Sequence, residues 1–435
     1  MNILFVHRYY PGHYRHLAAA AAQRPQNRVV FLTQDDPTPD AMGHDDRVEI
    51  RRCPRPNPRT VYGHPALAVT EAAFSRGEAV LAGARALARS GFVPDVICAH
   101  MGFGTAIHLR DVFPDAPILG YCEWYYRTEG GDAAYLSGPL TDAETALIRT
   151  RNAPFLLEME QATAGICPLL FQHQRFPRPY RDRITVLHDG IDTDRIDRAR
   201  RLAGAARKPN LPGIDLSEAT EIVTYATRGM EKHRCFPEFM RAARLLLESR
   251  PGLHIVVSGT AASYYGAGAE EADSFKEQLL REFTLSERAR CHFPGFLPYD
   301  DYLGLLRAST VHVYLTVPFV LSWSLLEAMA AGAAIVAADV APVREVMTDG
   351  NEGLLADPRS PSAIANRVAE LLGDPALRRG LGQAAALRIN RDYALKELLP
   401  RHLAMIGGMA RLGTATAFPG GYGAETSSRP LHAFG

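Results

Sequence analysis

The sequence predicts an α/β protein built from two Rossmann-like parallel-sheet domains that face a cleft. Three observations carry this reading. The chain has 435 residues, more than one ordinary core accommodates. Short apolar runs alternate with helix-period segments along nearly the whole length, as parallel sheets with crossover helices require. The alternation stops in a polar, arginine-rich stretch near 192–219 and then restarts.

The first half offers strands at 3–6, 29–32, 96–99 and 117–121, with helical segments at 16–23 and 65–90. These runs lack polar alternation, which suits strands covered on both faces. A segment at 184–190 closes this half. Beyond Lys208-Pro209-Asn210-Leu211-Pro212-Gly213 a fresh strand begins at 222–226, and others follow at 255–257, 291–293, 311–314 and 334–337. The expected organisation is a first, acceptor-side domain over 1–190, a linker over 191–219 and a second, nucleotide-sugar-binding domain over 220–390. A terminal helix over 391–412 packs back on the first domain, and a flexible tail follows over 413–435. Two such domains in series place a ligand cleft at the carboxyl ends of both sheets.

Composition narrows the function. With 47% hydrophobic and 22% charged residues the chain is globular, which excludes disordered and collagen-like classes. Basic and acidic residues balance at 48 each, so no global field holds nucleic acid or an anionic membrane. The six cysteines are scattered without a C-x-x-C pair or zinc-ligand spacing, and read as buried, reduced thiols. No metal ligand set and no cofactor are expected. The apolar run 1–6 stops at His7-Arg8-Tyr9-Tyr10-Pro11-Gly12 and lacks the features of a signal peptide. No run approaches the roughly 18 apolar residues of a membrane helix. The expectation is a cytoplasmic protein, at most peripherally attached to a membrane.

Five stretches can carry chemistry. In Pro318-Phe319-Val320-Leu321-Ser322-Trp323-Ser324-Leu325-Leu326-Glu327-Ala328-Met329-Ala330-Ala331-Gly332 a helix opens after a strand, with Ser322 or Ser324 as N-cap. Free amides and the dipole at such an end favour an anion such as a diphosphate. Glu327, one turn in, can accept hydrogen bonds from the vicinal hydroxyls of a ribose; it also suits a capped core helix. Arg228, Lys232 and Arg234 follow the first strand of the second half, where fixed cations stabilise a departing diphosphate without a metal. Pro11-Gly12-His13-Tyr14-Arg15-His16 leads from a strand into a helix, and Gly12 permits close backbone approach. His100 stands at a strand's carboxyl end, facing the cleft. The cluster Tyr121-Cys122-Glu123-Trp124-Tyr125-Tyr126-Arg127 suits a sugar-bearing or flat acceptor, or stacking on a neighbouring loop.

The stretch 318–332 resembles the donor-site motif of the family 4 glycosyltransferases of the GT-B fold: Glu, seven residues, Glu, Ala-Met-Ala and a Gly. Val343-Arg344-Glu345-Val346 and Asp349-Gly350-Asn351-Glu352-Gly353-Leu354-Leu355 are similar to its continuation. The resemblance covers nearly the whole chain, most closely 224–358. It implies that Glu327 binds the donor ribose and that the amides of Ser322, Trp323, Ser324 and Leu325 serve the donor. Arg228 would hold the diphosphate with Arg234, or Lys232 behind it, and Gly12 would lie over the same phosphates. It further implies that Phe296, in Gly295-Phe296-Leu297, lies at the base, that His100 supports catalysis beside the sugar, and that Glu123, Trp124, Tyr125 and Arg127 line the acceptor side. The implied activity is that of bacterial-type enzymes. A hexosyl group passes from a UDP- or GDP-type donor, with retention and without an essential metal, to a surface glycan, a lipid-linked sugar or a metabolite. The leaving phosphate helps to take the acceptor proton. One departure stands out: the family's first Glu falls on Phe319, and Val320-Leu321-Ser322 replaces the usual Gly-Phe-Gly. That departure keeps two alternatives open, a nucleotide-sugar-binding protein without the chemistry and a nucleotide-sugar epimerase on the same fold.

Overall fold

The computed structural model describes residues 1–34, 44–54, 65–202, 211, 213–262, 264 and 269–415. Among these residues the strands form two parallel sheets. The first contains β1 (Asn2–Val6), β2 (Arg28–Thr33), β3 (Val48–Arg52), β4 (Val96–His100), β5 (Ile118–Tyr121), β6 (Ala164–Cys167) and β7 (Ile184–Val186), in the order β3-β2-β1-β4-β5-β6-β7. The second contains β8 (Glu221–Gly229), β9 (Leu253–Thr260), β10 (Cys291–Gly295), β11 (Val311–Tyr314), β12 (Ile335–Ala338) and β13 (Leu354–Ala356), in the order β10-β9-β8-β11-β12-β13. The central strands are the apolar runs of the sequence: Ile3, Leu4, Phe5 and Val6 are wholly buried, as are Ile335, Val336 and Ala337. Helices cover both faces, so a strand without polar alternation finds apolar partners above and below.

Three strands have no counterpart among the expected runs. The edge strand β3 ends on the exposed Arg51 and Arg52, charges that blunt a sheet edge and erase the apolar signal. The four residues of β6 include Ala164 and Gly165, and β13 has only three residues.

Both sheets reverse their strand order beside their first strand, between β1 and β4 and between β8 and β11. Loops leaving neighbouring strands in opposite directions open a crevice at such a switch point. Register brings the ends level there: Val6 pairs with Ala99, and His100 with Tyr121.

The chain leaves the first sheet at Ile191 and returns at Ala394, and these two passes are bridged. The Ile191 amide donates to the Tyr393 carbonyl at 2.8 Å, and the Leu395 amide donates to the Ile191 carbonyl at 2.8 Å. Helix Leu395–Ala415 then runs back along the first sheet, where Ile406, Met409 and Ala410 join the core around Ile3 and Phe5. Within 191–219 a helix spans Thr193–Leu202, while 203–210 and 212 lie outside the described residues. Of the tail expected over 413–435, residues 416–435 also lie outside them. Among the described residues no helix is long and apolar enough to cross a membrane.

Contacts across the cleft join the two units. The Glu345 carboxylate accepts from the amides of Leu170 and Phe171 at 2.7 and 2.8 Å. Trp323 donates through Nε1 to Asp189 at 2.9 Å, and Phe319 meets Trp124 edge-on at 4.7 Å.

Candidate active site

The second-domain wall of the cleft grows from β8, β11 and the helix Trp323–Ala330. Ser322 is extended and caps this helix: its Oγ accepts from the Ser324 amide at 3.3 Å. The Ser322 amide donates to the Tyr314 hydroxyl at 3.0 Å, and the Leu325 amide to the Ser322 carbonyl at 3.3 Å. A cavity of about 970 Å³ opens in front of the cap, lined among others by Arg15, Arg228, Phe296, Ser322, Ser324 and Glu327. Phe296 is 75% exposed, an aromatic ring offered to the cavity rather than to a core. The Arg228 guanidinium lies over the Tyr264 ring at 4.0 Å. Glu327 is buried; it takes a hydrogen bond from the Tyr299 hydroxyl at 3.1 Å and pairs with Arg15 at 3.6 Å. Burial raises its pKa, and the Arg15 charge opposes that rise. Arg15 also stacks on the Trp323 ring at 4.2 Å, so a cation from the first domain closes this cavity.

The first-domain wall is a cluster of imidazoles. His7 follows β1, His13 lies in the short turn Gly12–Tyr14, His100 ends β4, and Glu123 follows β5. Glu123 accepts from His100 Nε2 at 3.2 Å and from His13 Nε2 at 3.4 Å. His7 Nε2 lies 3.3 Å from His13 Nδ1. His7 and His100 are sealed, at 2% and 1% exposure, whereas the His13 and Glu123 side chains keep 21% and 23%. Burial lowers the pKa of His100 against its bond to Glu123, and burial with the two neighbouring imidazoles lowers that of His7 well below its ordinary value. His13 moves the other way: burial lowers it, but Glu123 and Asp189 together raise it. Burial would raise Glu123, yet the imidazoles hold it well below the usual carboxylate range. The result is an ionised carboxylate bracketed by two histidines, one of which reaches the cleft.

Comparison with known proteins decides the family. Residues 25–196 match the family model described as glycosyl transferase family 4 group, and residues 214–388 the one described as glycosyl transferases group 1. The chain belongs to the glycosyltransferases of the GT-B fold. A D-inositol 3-phosphate glycosyltransferase of Streptomyces avermitilis is 27% identical over 211 residues, 47% of this chain and 43% of the relative. The matched stretch thus spans less than half of that relative's length. A glycogen synthase of Mycobacterium tuberculosis is 25% identical over 419 residues, 90% of this chain and 91% of its own. Among solved structures, sucrose-phosphate synthase from Thermosynechococcus elongatus superposes with a TM-score of 0.67 at 18% identity, covering 96% of this chain and all (100%) of its own. HepE of Anabaena, solved with UDP and glucose, reaches 0.66 at 16% identity, covering 94% of this chain and 99% of its own.

In this GT-B glycosyltransferase the residues singled out by sequence divide into two groups. Arg228, Phe296, Ser322, Trp323, Ser324 and Glu327 line one cavity. Leu325 is fully buried in the core of the same helix. Lys232 and Arg234 are not among the residues lining that cavity: Arg234 donates to Thr316 Oγ1 at 3.1 Å, just beyond β11, and Lys232 lies over the Phe275 ring at 5.3 Å. Gly12 has a positive φ of 52°, and a Cβ there would overlap the His7 ring, so in this structure the glycine makes room for an imidazole. The aromatic stretch after β5 is largely packed inward. Trp124 is buried against Phe319, Tyr125 packs on Phe155 and Phe176, and Arg127 donates to the Arg175 carbonyl. Of the four acceptor-side residues, Glu123 faces the imidazole cluster. Phe319, at the first-Glu position, is 4% exposed and fills the domain contact between Trp124 and His233.

Sequence reasoning missed His7, His13, Arg15, Tyr299 and Asp189. His13 and Arg15 stood inside the quoted turn beside Gly12, and His7 directly after a strand, the position that drew attention to His100. Asp189 accepts from both Tyr121 and Trp323 at 2.9 Å and ties the two walls together; no local pattern marks it.

Proposed function

We propose that the protein transfers a sugar from a nucleoside-diphosphate donor to a hydroxyl of an acceptor, with retention of configuration. The observation that carries this reading is the single cavity bringing Phe296, Arg228, Arg15, Glu327 and the capped helix start together. A nucleoside diphosphate fits their chemistry in order. The base stacks on Phe296. The ribose hydroxyls donate to Glu327 in place of the Tyr299 hydroxyl and Arg15. The diphosphate lies by the helix start, where the 3.3 Å bonds of the Ser324 and Leu325 amides are the weakest of the cap, and meets Arg228 and Arg15. That HepE binds UDP and glucose in the same fold supports the donor class.

In the reaction the bond between the anomeric carbon and the phosphate oxygen breaks, and a bond to the acceptor oxygen forms on the same face. The acceptor proton passes to the leaving phosphate. Negative charge grows on the diphosphate as it departs, and fixed guanidinium groups stabilise that charge more than the ground state. The acceptor enters on the His13 and Glu123 side, and His100 acts from behind by holding Glu123.

A thermal-shift series with UDP, GDP, ADP and TDP, each with and without magnesium, tests the donor class. A site filled at about 100 times its dissociation constant adds about 2.7 kcal/mol. The expected result is a shift selective for one base and equal in both metal conditions. No shift with any nucleotide defeats the proposal. Phe319 favours a second reading, binding without transfer; a selective shift without donor hydrolysis or transfer to any acceptor would establish it.

A further inference from the structure

The imidazole cluster of the first domain does more than neighbour a sugar site. One ring nitrogen from each of His7, His13 and His100 lies within 4.8 Å of the others. Zinc held tetrahedrally at about 2.0–2.1 Å by three imidazoles sets their nitrogens about 3.4 Å apart. His7 Nε2 and His13 Nδ1 already stand at 3.3 Å.

The hydrogen bonds decide which nitrogens are bare. Glu123 takes the Nε2 side of both His13 and His100. A neutral ring that donates through Nε2 presents an unprotonated Nδ1. His100 Nδ1 is buried and has no hydrogen-bond partner, an arrangement that costs free energy unless something accepts its lone pair. His13 Nδ1 faces His7. His7 Nδ1 accepts from the Tyr9 amide at 2.9 Å and lies 2.8 Å from the Tyr9 carbonyl, so without a metal His7 Nε2 carries the ring proton and donates it to His13 Nδ1 at 3.3 Å. A divalent cation would replace the one proton shared by His7 and His13 and give the orphaned His100 Nδ1 a partner; release of a ligand proton in this way accompanies metal binding.

The surroundings fit such a site. A carboxylate bonded to the far nitrogen of a ligating histidine fixes its ring and tautomer, and Glu123 does this for two rings. Gly12 leaves the space in which the His7 ring sits. His13 and Glu123 supply the exposed side of the cluster, and with it a route for entry.

We propose that His7, His13 and His100 bind one divalent first-row transition ion of the zinc class, with Glu123 orienting two of the rings. Three protein ligands leave a fourth position for water or a substrate oxygen. This inference is independent of the donor reading, because it concerns the opposite wall of the cleft.

The test uses the full chain, freed of metal by a chelator and then dialysed. Zinc alone is added at pH 7.5 and binding is followed by calorimetry and by metal content after desalting. The expected result is about one zinc per chain, and a cobalt-loaded sample with the intense visible bands of a four-coordinate ion. His13→Ala, at the accessible edge, should abolish stoichiometric binding. Glu123→Gln should weaken it about 10- to 100-fold while keeping the three ligands. Absence of stoichiometric zinc in the unaltered chain overturns the proposal. So does zinc bound with unchanged affinity in both variants, which would place the ion on other histidines such as the more exposed His44 and His108.

Discussion

On the second-domain wall of the cleft the capped helix start and Glu327 form one strand–turn–helix unit, to which Arg228 of β8 and Phe296 after β10 are added, whereas the imidazole cluster of the first-domain wall is assembled entirely from the ends of three strands and the turn Gly12–Tyr14. Ser322, Trp323, Ser324 and Glu327 lie within six consecutive residues, and helix geometry alone sets their spacing. His7 and Glu123 follow β1 and β5 and His100 ends β4, and they meet only because parallel register levels those ends. The two walls also treat charge differently. On the second wall the buried carboxylate of Glu327 faces a guanidinium at 3.6 Å; on the first, Glu123 is held by two imidazoles whose charge depends on pH. The cavity at Glu327 therefore holds permanent cations, Arg228 from one wall and Arg15 from the other, whereas the cluster at Glu123 holds groups whose charge follows pH.

Removing one carboxylate from each wall separates their roles most strongly. Glu327→Ala takes away the proposed acceptor for two ribose hydroxyls and the carboxylate facing Arg15. Calorimetry with the preferred nucleotide should show its dissociation constant rise about 100-fold, close to 3 kcal/mol. Glu123→Gln should leave that constant within about twofold and lower turnover instead, by about 10²-fold or more. If both substitutions weaken the nucleotide equally, the walls are not separate in function.

This division also explains what the sequence could tell. The alternation of apolar runs and helices was enough for two parallel sheets, because buried parallel strands carry their own apolar signal. Edge strand β3, ending in Arg51 and Arg52, carries none. The helix start of the second wall was readable because residues 322–327 are contiguous; even so, the engagement of the Ser324 and Leu325 amides within their own cap is a property of the folded chain. The first wall yielded one member, His100, since a histidine after an apolar run is visible alone. Its partners His7 and His13 required strand order. Trp124 and Tyr125 allowed two readings for a physical reason: an aromatic side chain stacks equally well on a sugar or on a buried phenylalanine, and here Phe319, Phe155 and Phe176 pack against them.

A second contrast concerns how each wall tolerates buried charge. Behind His100 the loop 101–106 is pinned by Glu158, whose carboxylate is fully buried and accepts from the amides of Gly102 and Ala106. Burial pushes its pKa from 4.5 up to about 7 against those hydrogen bonds. A carboxyl raised on folding binds protons more tightly folded than unfolded, so its contribution is full below about pH 4.5 and is lost as pH rises through about 7. Urea unfolding at pH 5, 6, 7 and 8 should show this group lowering stability by at most about 1.4 kcal/mol per pH unit in that window. Glu158→Gln should flatten the profile there. An identical profile in the variant would assign the pH dependence to the imidazoles instead.

The smallest effect isolates the fit of the imidazole cluster itself. Gly12 and Gly138 both have positive φ, 52° and 71°, so an added side chain is strained at either. A Cβ at 138 meets nothing within 4 Å, whereas one at 12 overlaps the His7 ring. Gly138→Ala should therefore cost about 1 kcal/mol, the backbone share alone, and Gly12→Ala about 3 kcal/mol. The excess of about 2 kcal/mol belongs to the ring, which has little room to retreat with His13, His100 and Phe103 all against it. A double-mutant cycle makes this exact in cause: in a His7→Ala background, Gly12→Ala should fall to the cost seen at Gly138. A penalty that stays near 3 kcal/mol in that background would mean that the turn requires glycine for its own backbone, and that the place of His7 in the cluster is set by β1 rather than by the gap at Gly12.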